Sequence, residues 1–158
     1  MRRKLLIALL VSVAAWALAM TLLSYLSTKP TTLGAADGQF APCPNKPNCV
    51  CSQSTDEHAI EPLRAQGDPD AAWKRLGEVL ATWPRTRVVT MTDSYLHAEC
   101  TSALFRFVDD LECVLDRGAG VIHVRSASRA GHSDLGVNRR RVELLRRALA
   151  DPAPPPQD

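Results

Sequence analysis

From Leu5 to Leu26 the chain runs for 22 residues without a charged side chain. About twenty apolar residues rising about 1.5 Å each cross the hydrocarbon core of a bilayer, so this stretch predicts a single N-terminal transmembrane helix. Arg2, Arg3 and Lys4 precede the run and Lys29 follows it. That imbalance places the short basic flank 1–4 in the cytoplasm and the remainder of the chain outside, in a periplasmic or extracellular setting. A cleaved signal peptide is the competing reading, because Ala17–Leu18–Ala19 resembles a peptidase site. Leu22, Leu23 and Leu26 continue the apolar run beyond it and favour an uncleaved anchor over residues 5–26.

Residues 27–42 are small, Pro- and Gly-containing and without apolar period, and read as a linker. The tail 151–158, "DPAPPPQD", reads as disordered. A single folded unit over 43–150 remains. From Cys43 onward there are 15 basic and 16 acidic residues, a balance that argues against a nucleic-acid partner. The charge is uneven, however: residues 125–150 carry 7 basic and 2 acidic side chains.

Within this unit, "GDPDAAWKRLGEVLATWP" predicts a helix with Asp68 as N-cap, Pro69 in the first turn and Pro84 as the stop. Trp73, Leu76, Leu80 and Trp83 recur at helical spacing and make its buried face. Four strands follow, over 85–92, 95–102, 105–116 and 120–128, joined by connections short enough for antiparallel pairing. A last helix spans about Gly136 to Ala150, with Ser133 or Asp134 as cap and Val137, Leu144, Leu145, Ala148 and Leu149 as its stripe. The fold class is therefore α+β: an antiparallel sheet of about four strands with two helices packed on one face.

Period two divides the strands. Leu96, Ala98, Cys100, Ile122, Val124 and Ser126 point inward, and Phe105, Phe107, Leu111 and Cys113 share a face with Asp109. Tyr95, His97, Glu99, Arg106, Asp110, Glu112, His123 and Arg125 point the other way. Such a face is either solvated without further role or a binding surface. His97 and Glu99, about 7 Å apart along a strand, are the candidate catalytic pair of a hydrolase or isomerase. One of the adjacent carboxylates Asp109 and Asp110 must turn inward and needs a cation, for which Arg125 and Arg129 are the candidates.

The segment "RSASRAGHSDLGVNRRR", residues 125–141, combines hydroxyls, glycines and guanidinium groups ahead of a helix. Its Asp134 and serines suit a self-bonded capping loop. The same composition suits an anion site, with Arg125, Ser128, Arg129, His132, Asn138, Arg139 and Arg140 as candidate ligands for a phosphate, a carboxylate or an anionic lipid headgroup. It is neither a Walker loop nor a dinucleotide fingerprint, and no cofactor is implied. Five cysteines are present, so at least one thiol is unpaired within one chain. Outside the cytoplasm a Cys43–Cys49 disulfide is the expected pairing. A zinc site with His58 is the alternative, although the spacing matches no standard finger, and the metal expectation is none. Cys100 and Cys113 read as core residues.

The strings "CPNKPNCVCS", "YLHAECTSALFRFVDDLECVLD" and "VIHVRSASRAGHSDLGVNRRRVELLR", in this order, resemble the family catalogued as domain of unknown function 1499. The resemblance covers about residues 42–149. Cys51, Cys100 and Cys113 stand where serine, aromatic or aliphatic residues are expected, which weakens any multi-cysteine metal centre. The resemblance implies no activity and carries over no catalytic residue. The functional expectation is a membrane-anchored, non-catalytic binding module for a small anionic or polar ligand. A hydrolase or isomerase using His97 and Glu99, and an envelope scaffold, are the alternatives.

Overall fold

The computed structural model describes residues 2–150. Helix α1 (Arg2–Leu26) holds the uncharged run and is long and apolar enough to cross a membrane or to serve as a signal sequence. Two of its hydroxyls are satisfied internally: Ser12 and Thr21 donate to the carbonyls of Ala8 and Ala17, each at 2.9 Å. That economy suits a helix surrounded by lipid, where no water answers a polar group.

The remainder is α+β. A hairpin of β1 (Ala35–Ala36) and β2 (Gln39–Phe40) precedes β3 (Cys49–Cys51) and β4 (Leu63–Arg64). Helix α2 (Pro69–Thr82) follows, then β5 (Thr86–Met91), β6 (Tyr95–Thr101), β7 (Val108–Asp116), β8 (Val121–Ser128) and α3 (Val137–Ala150). The main sheet is six-stranded, in the order β3-β8-β7-β6-β5, with β4 pairing β8 beyond the end of β3. Its strands pair antiparallel throughout. The meander β5–β8 matches the four predicted strands. β3 and β4 are additions, and runs of two or three residues carry no period that would announce them.

Asp68 caps α2 as expected, accepting from the amides of Asp70 and Ala71. Asp134 does the same for α3, accepting from Gly136 and Asn138. The buried faces of both helices, through Trp73, Leu76, Leu80, Val142 and Leu145, enter one core with Leu96, Ala98, Leu111, Cys113, Ile122 and Val124. Each fully buried aliphatic side chain contributes roughly 1.5–3 kcal/mol relative to exposure. The α3 stripe is rotated from its predicted setting: Asn138, Val142, Leu145 and Leu149 are buried and Val137 is exposed.

Two expectations are corrected. Phe105 and Phe107 do not lie on the inner sheet face, because β7 begins at Val108 and Arg106 turns the chain with φ +60°. Phe105 instead meets Trp16 of α1 edge to face at 5.2 Å. Part of the 27–42 stretch is also not a bare tether. The β1–β2 hairpin lies over the second face of the sheet, where Phe40 is buried against Cys51 and Val114 and the Gly34 amide donates to Glu112 at 2.8 Å. The tail 151–158, read as disordered, lies outside the described residues.

Candidate functional site

The second sheet face is polar in sequence but dry in structure. His97, Asp110, Glu112 and Arg125 expose only 2, 1, 0 and 6% of their surface. Antiparallel register explains how they meet: His97 lies opposite Glu112, Glu99 opposite Asp110, and Glu112 opposite Arg125. Burying so many charges is tolerable only if each finds a partner. The Asp110 carboxylate accepts from His97 Nε2 at 2.8 Å and from Arg129 Nε and Nη2 at 2.9 and 2.7 Å. Arg129 Nη2 also donates to Glu99 at 2.6 Å, and Arg87 caps the other Glu99 oxygen at 2.7 Å. Glu112 accepts from Tyr95, Arg125 and the Gly34 amide at 2.8, 3.0 and 2.8 Å.

This wiring corrects the expected partnership of Arg125 with an aspartate. Arg125 pairs with Glu112, its cross-strand neighbour, while Asp110 takes Arg129 and Asp109 takes Arg141. Asp109 points to the core side of the sheet, where Arg141 also bonds Ser126 and Asn138. Both carboxylates are therefore largely removed from water, one on each face, because the hairpin covers the face expected to be open.

The electrostatics follow from these contacts. Burial raises the Asp110 carboxyl, but hydrogen bonds from Arg129 and then His97 outweigh it and hold the group below the usual carboxylate range. Glu99 is lowered against its burial by Arg129 and Arg87. Burial, reinforced by Glu112, pushes the Tyr95 hydroxyl up. Burial likewise raises the thiols of Cys100 and Cys113, which makes them poor nucleophiles.

His97, Glu99 and Asp110 bring potential metal-ligating atoms within 4.8 Å of one another. Arg129 Nη2 bonds both carboxylates of that trio, so its guanidinium supplies the cationic charge a metal ion would otherwise bring. The zinc alternative involving His58 is also corrected. Cys43 and Cys49 are joined as a disulfide, and the His58 Nδ1–H donates to the Cys49 carbonyl at 3.0 Å.

The residues of 125–141 do not converge on one ligand. Asn138 is fully buried, its amide donating to the Asn48 carbonyl and to Ser128 Oγ at 3.0 Å each. Arg129 has the structural role against Asp110 that was open to it, Arg125 has one against Glu112, and Ser128 and Asn138, expected to meet a ligand, hold the structure together instead. Arg139 donates to the carbonyls of Glu57 and Ala59 at 3.4 and 2.9 Å. His132 is exposed. Arg140 alone among the predicted guanidinium groups is exposed and makes no side-chain hydrogen bond or ion pair among the described residues.

Arg140 lines a cleft of about 220 Å³ between the end of α2 and the start of α3. Arg85, Arg141, Thr86, Thr101 and Ser102 line it too, as does Asp109, whose charge Arg141 answers. Arg141 is spent on Asp109 and Arg85 is engaged as well, so Arg140 is the guanidinium that gives the cleft its cationic character. Trp83 borders the same cleft, 9% exposed, and its buried indole N–H has no acceptor. An unmet buried donor costs about 1–3 kcal/mol. Sequence periodicity placed Trp83 in an apolar stripe and gave no sign that its N–H is left over. Arg141 lies within the same basic run, and nothing in the sequence sets it apart from its neighbours.

The family model described as a protein of unknown function (DUF1499) matches residues 39–149. No curated protein and no solved structure matches the chain.

Proposed function

We propose that this chain, which belongs to the DUF1499 family, is a membrane-anchored, non-catalytic module that binds a small anion in the Arg140 cleft. One observation carries the reading: an uncommitted guanidinium and an unmet indole donor border one cleft. A phosphate or carboxylate oxygen is the acceptor that Arg140 lacks, and it meets the covered Trp83 N–H by displacing the side chains over it. The hydrolase or isomerase reading loses support, because His97 is 2% exposed and both His97 and Glu99 are committed to the Asp110–Arg129 network. The proposed topology keeps the N-terminus in the cytoplasm and the domain outside. The Cys43–Cys49 disulfide supports an oxidising compartment.

Calorimetric titration of the full chain in neutral detergent with inorganic phosphate tests this. Saturable binding is expected, and Arg140→Ala weakens it about tenfold or more, the loss of one charge-assisted hydrogen bond. Arg139→Ala serves as the control, since Arg139 is bonded to carbonyls and does not border the cleft. Equal effects of the two substitutions, or no binding, would remove the cleft from consideration.

A further inference from the structure

We infer that the anion is the headgroup of a membrane lipid, and that one of its acyl chains occupies an apolar chamber beside the cleft. The inference rests on the anion-binding reading above and deepens it. The chamber has a volume of about 360 Å³ and is walled by Met20 and Leu23 of α1 together with Phe107, Ala130, Leu135 and Val137. Its volume falls within the roughly 300–1,000 Å³ usual for small-molecule sites. Ser102, Asp109 and Val137 line both the chamber and the Arg140 cleft, so the two spaces adjoin. A cationic compartment next to an apolar one fits an amphiphile, whereas a free phosphate leaves the apolar part without an occupant.

The anchor says where that occupant comes from. Trp16, ten residues before the end of α1, touches Phe105 of the loop between β6 and β7. With α1 across the membrane, Met20 and Leu23, six and three residues before its end, set the chamber beside the loops 102–107 and 130–136 in the outer part of the leaflet nearer the domain. Their tips suit that level: Leu104 is 78% and Leu135 86% exposed. Leu135 has φ +55°, a left-handed backbone that a leucine adopts only at a cost. Exposed leucines are ordinary on a soluble surface, but on loops beside a membrane-spanning helix they are at home among acyl chains.

The test uses the full chain in dodecyl maltoside, with binding read by native mass spectrometry. The probes are dioleoyl phosphatidic acid, dihexanoyl phosphatidic acid, inorganic phosphate and dioleoyl phosphatidylcholine. One dioleoyl phosphatidic acid per chain is expected, held at least about tenfold more tightly than the dihexanoyl form, as burial of several methylenes requires. Arg140→Ala weakens both phosphatidic acids and phosphate together. Ala130→Trp, which fills the chamber, removes the chain-length preference and leaves phosphate binding unchanged. Leu135→Asn does the same at an exposed position where asparagine suits the backbone, so loss of folding does not obscure the result. If phosphate and both phosphatidic acids bind equally in an Arg140-dependent manner, the anion cleft stands and the acyl chamber is overturned. The same holds if neither chamber variant alters the chain-length preference. If no anion binds, or Arg140→Ala changes nothing, the anion-binding reading itself fails and takes this one with it.

Discussion

Asp110 is the residue on which the polar sheet face depends. Its two oxygens hold Arg129 in a fork and anchor His97, in a place where water does not substitute. Asp110→Ala should therefore cost about 3–5 kcal/mol, the usual penalty for stranding one partner of a buried pair. Arg87→Ala, which removes a partner of Glu99 that is 73% exposed, should cost about 0–1 kcal/mol. Urea melts of the two variants against the wild type give the comparison. The pH dependence has a definite sign. Asp110 and Glu99 are both held below the ordinary carboxylate range when folded, so the unfolded chain binds protons more readily in acid. Their stabilisation is complete above the unfolded values near pH 4 and is lost progressively as pH falls below them. Melting temperature followed from pH 6 to pH 2.5, a range chosen at roughly these values, should fall steeply, and the Asp110→Asn, Glu99→Gln double variant should show a shallower acid slope.

At the level of elements, legibility tracked length and period. α2 was readable because Asp68, Pro69 and Pro84 punctuate it, and β6 to β8 because they alternate for seven residues or more. β3 and β4 are too short to alternate, and both exist only because β8 offers an edge to pair with. Period two puts Tyr95, His97 and Glu99 on one polar face but carries no sign that this face is buried. The hairpin that covers it comes from residues whose composition reads as linker. Partner choice within 125–141 was equally hidden, since it depends on cross-strand register: Glu112 opposite Arg125 decides that pair before either aspartate competes. The Cys43–Cys49 link, by contrast, followed from spacing and compartment. It closes a short loop leading into β3, and its removal by Cys43→Ala, Cys49→Ala should cost about 2 kcal/mol. Thermal melting of the double variant in the presence and absence of reductant measures this, with reductant expected to matter for the wild type alone.

For the whole molecule, the N-terminal helix and the domain form one unit: a loop of the domain meets α1 at Trp16, and the apolar chamber opens between the C-terminal half of α1 and the domain. Washed membranes should retain the full chain, and a reporter fused after Asp158 should be active outside the cytoplasm. A soluble form beginning near Met20 would favour cleavage instead. The central claim is that the Arg140 cleft receives an anion beside Trp83, and the three tryptophans provide its most direct test. Trp73 already donates its indole N–H to the Thr92 carbonyl at 2.9 Å, whereas that of Trp83 has no acceptor. In nitrogen-15 spectra of the full chain titrated with phosphate, the Trp83 indole resonance should move to lower field and saturate, while that of Trp73 stays in place. The movement should vanish in Arg140→Ala. A Trp83 resonance that stays fixed while phosphate shifts amides elsewhere in the domain would contradict the account.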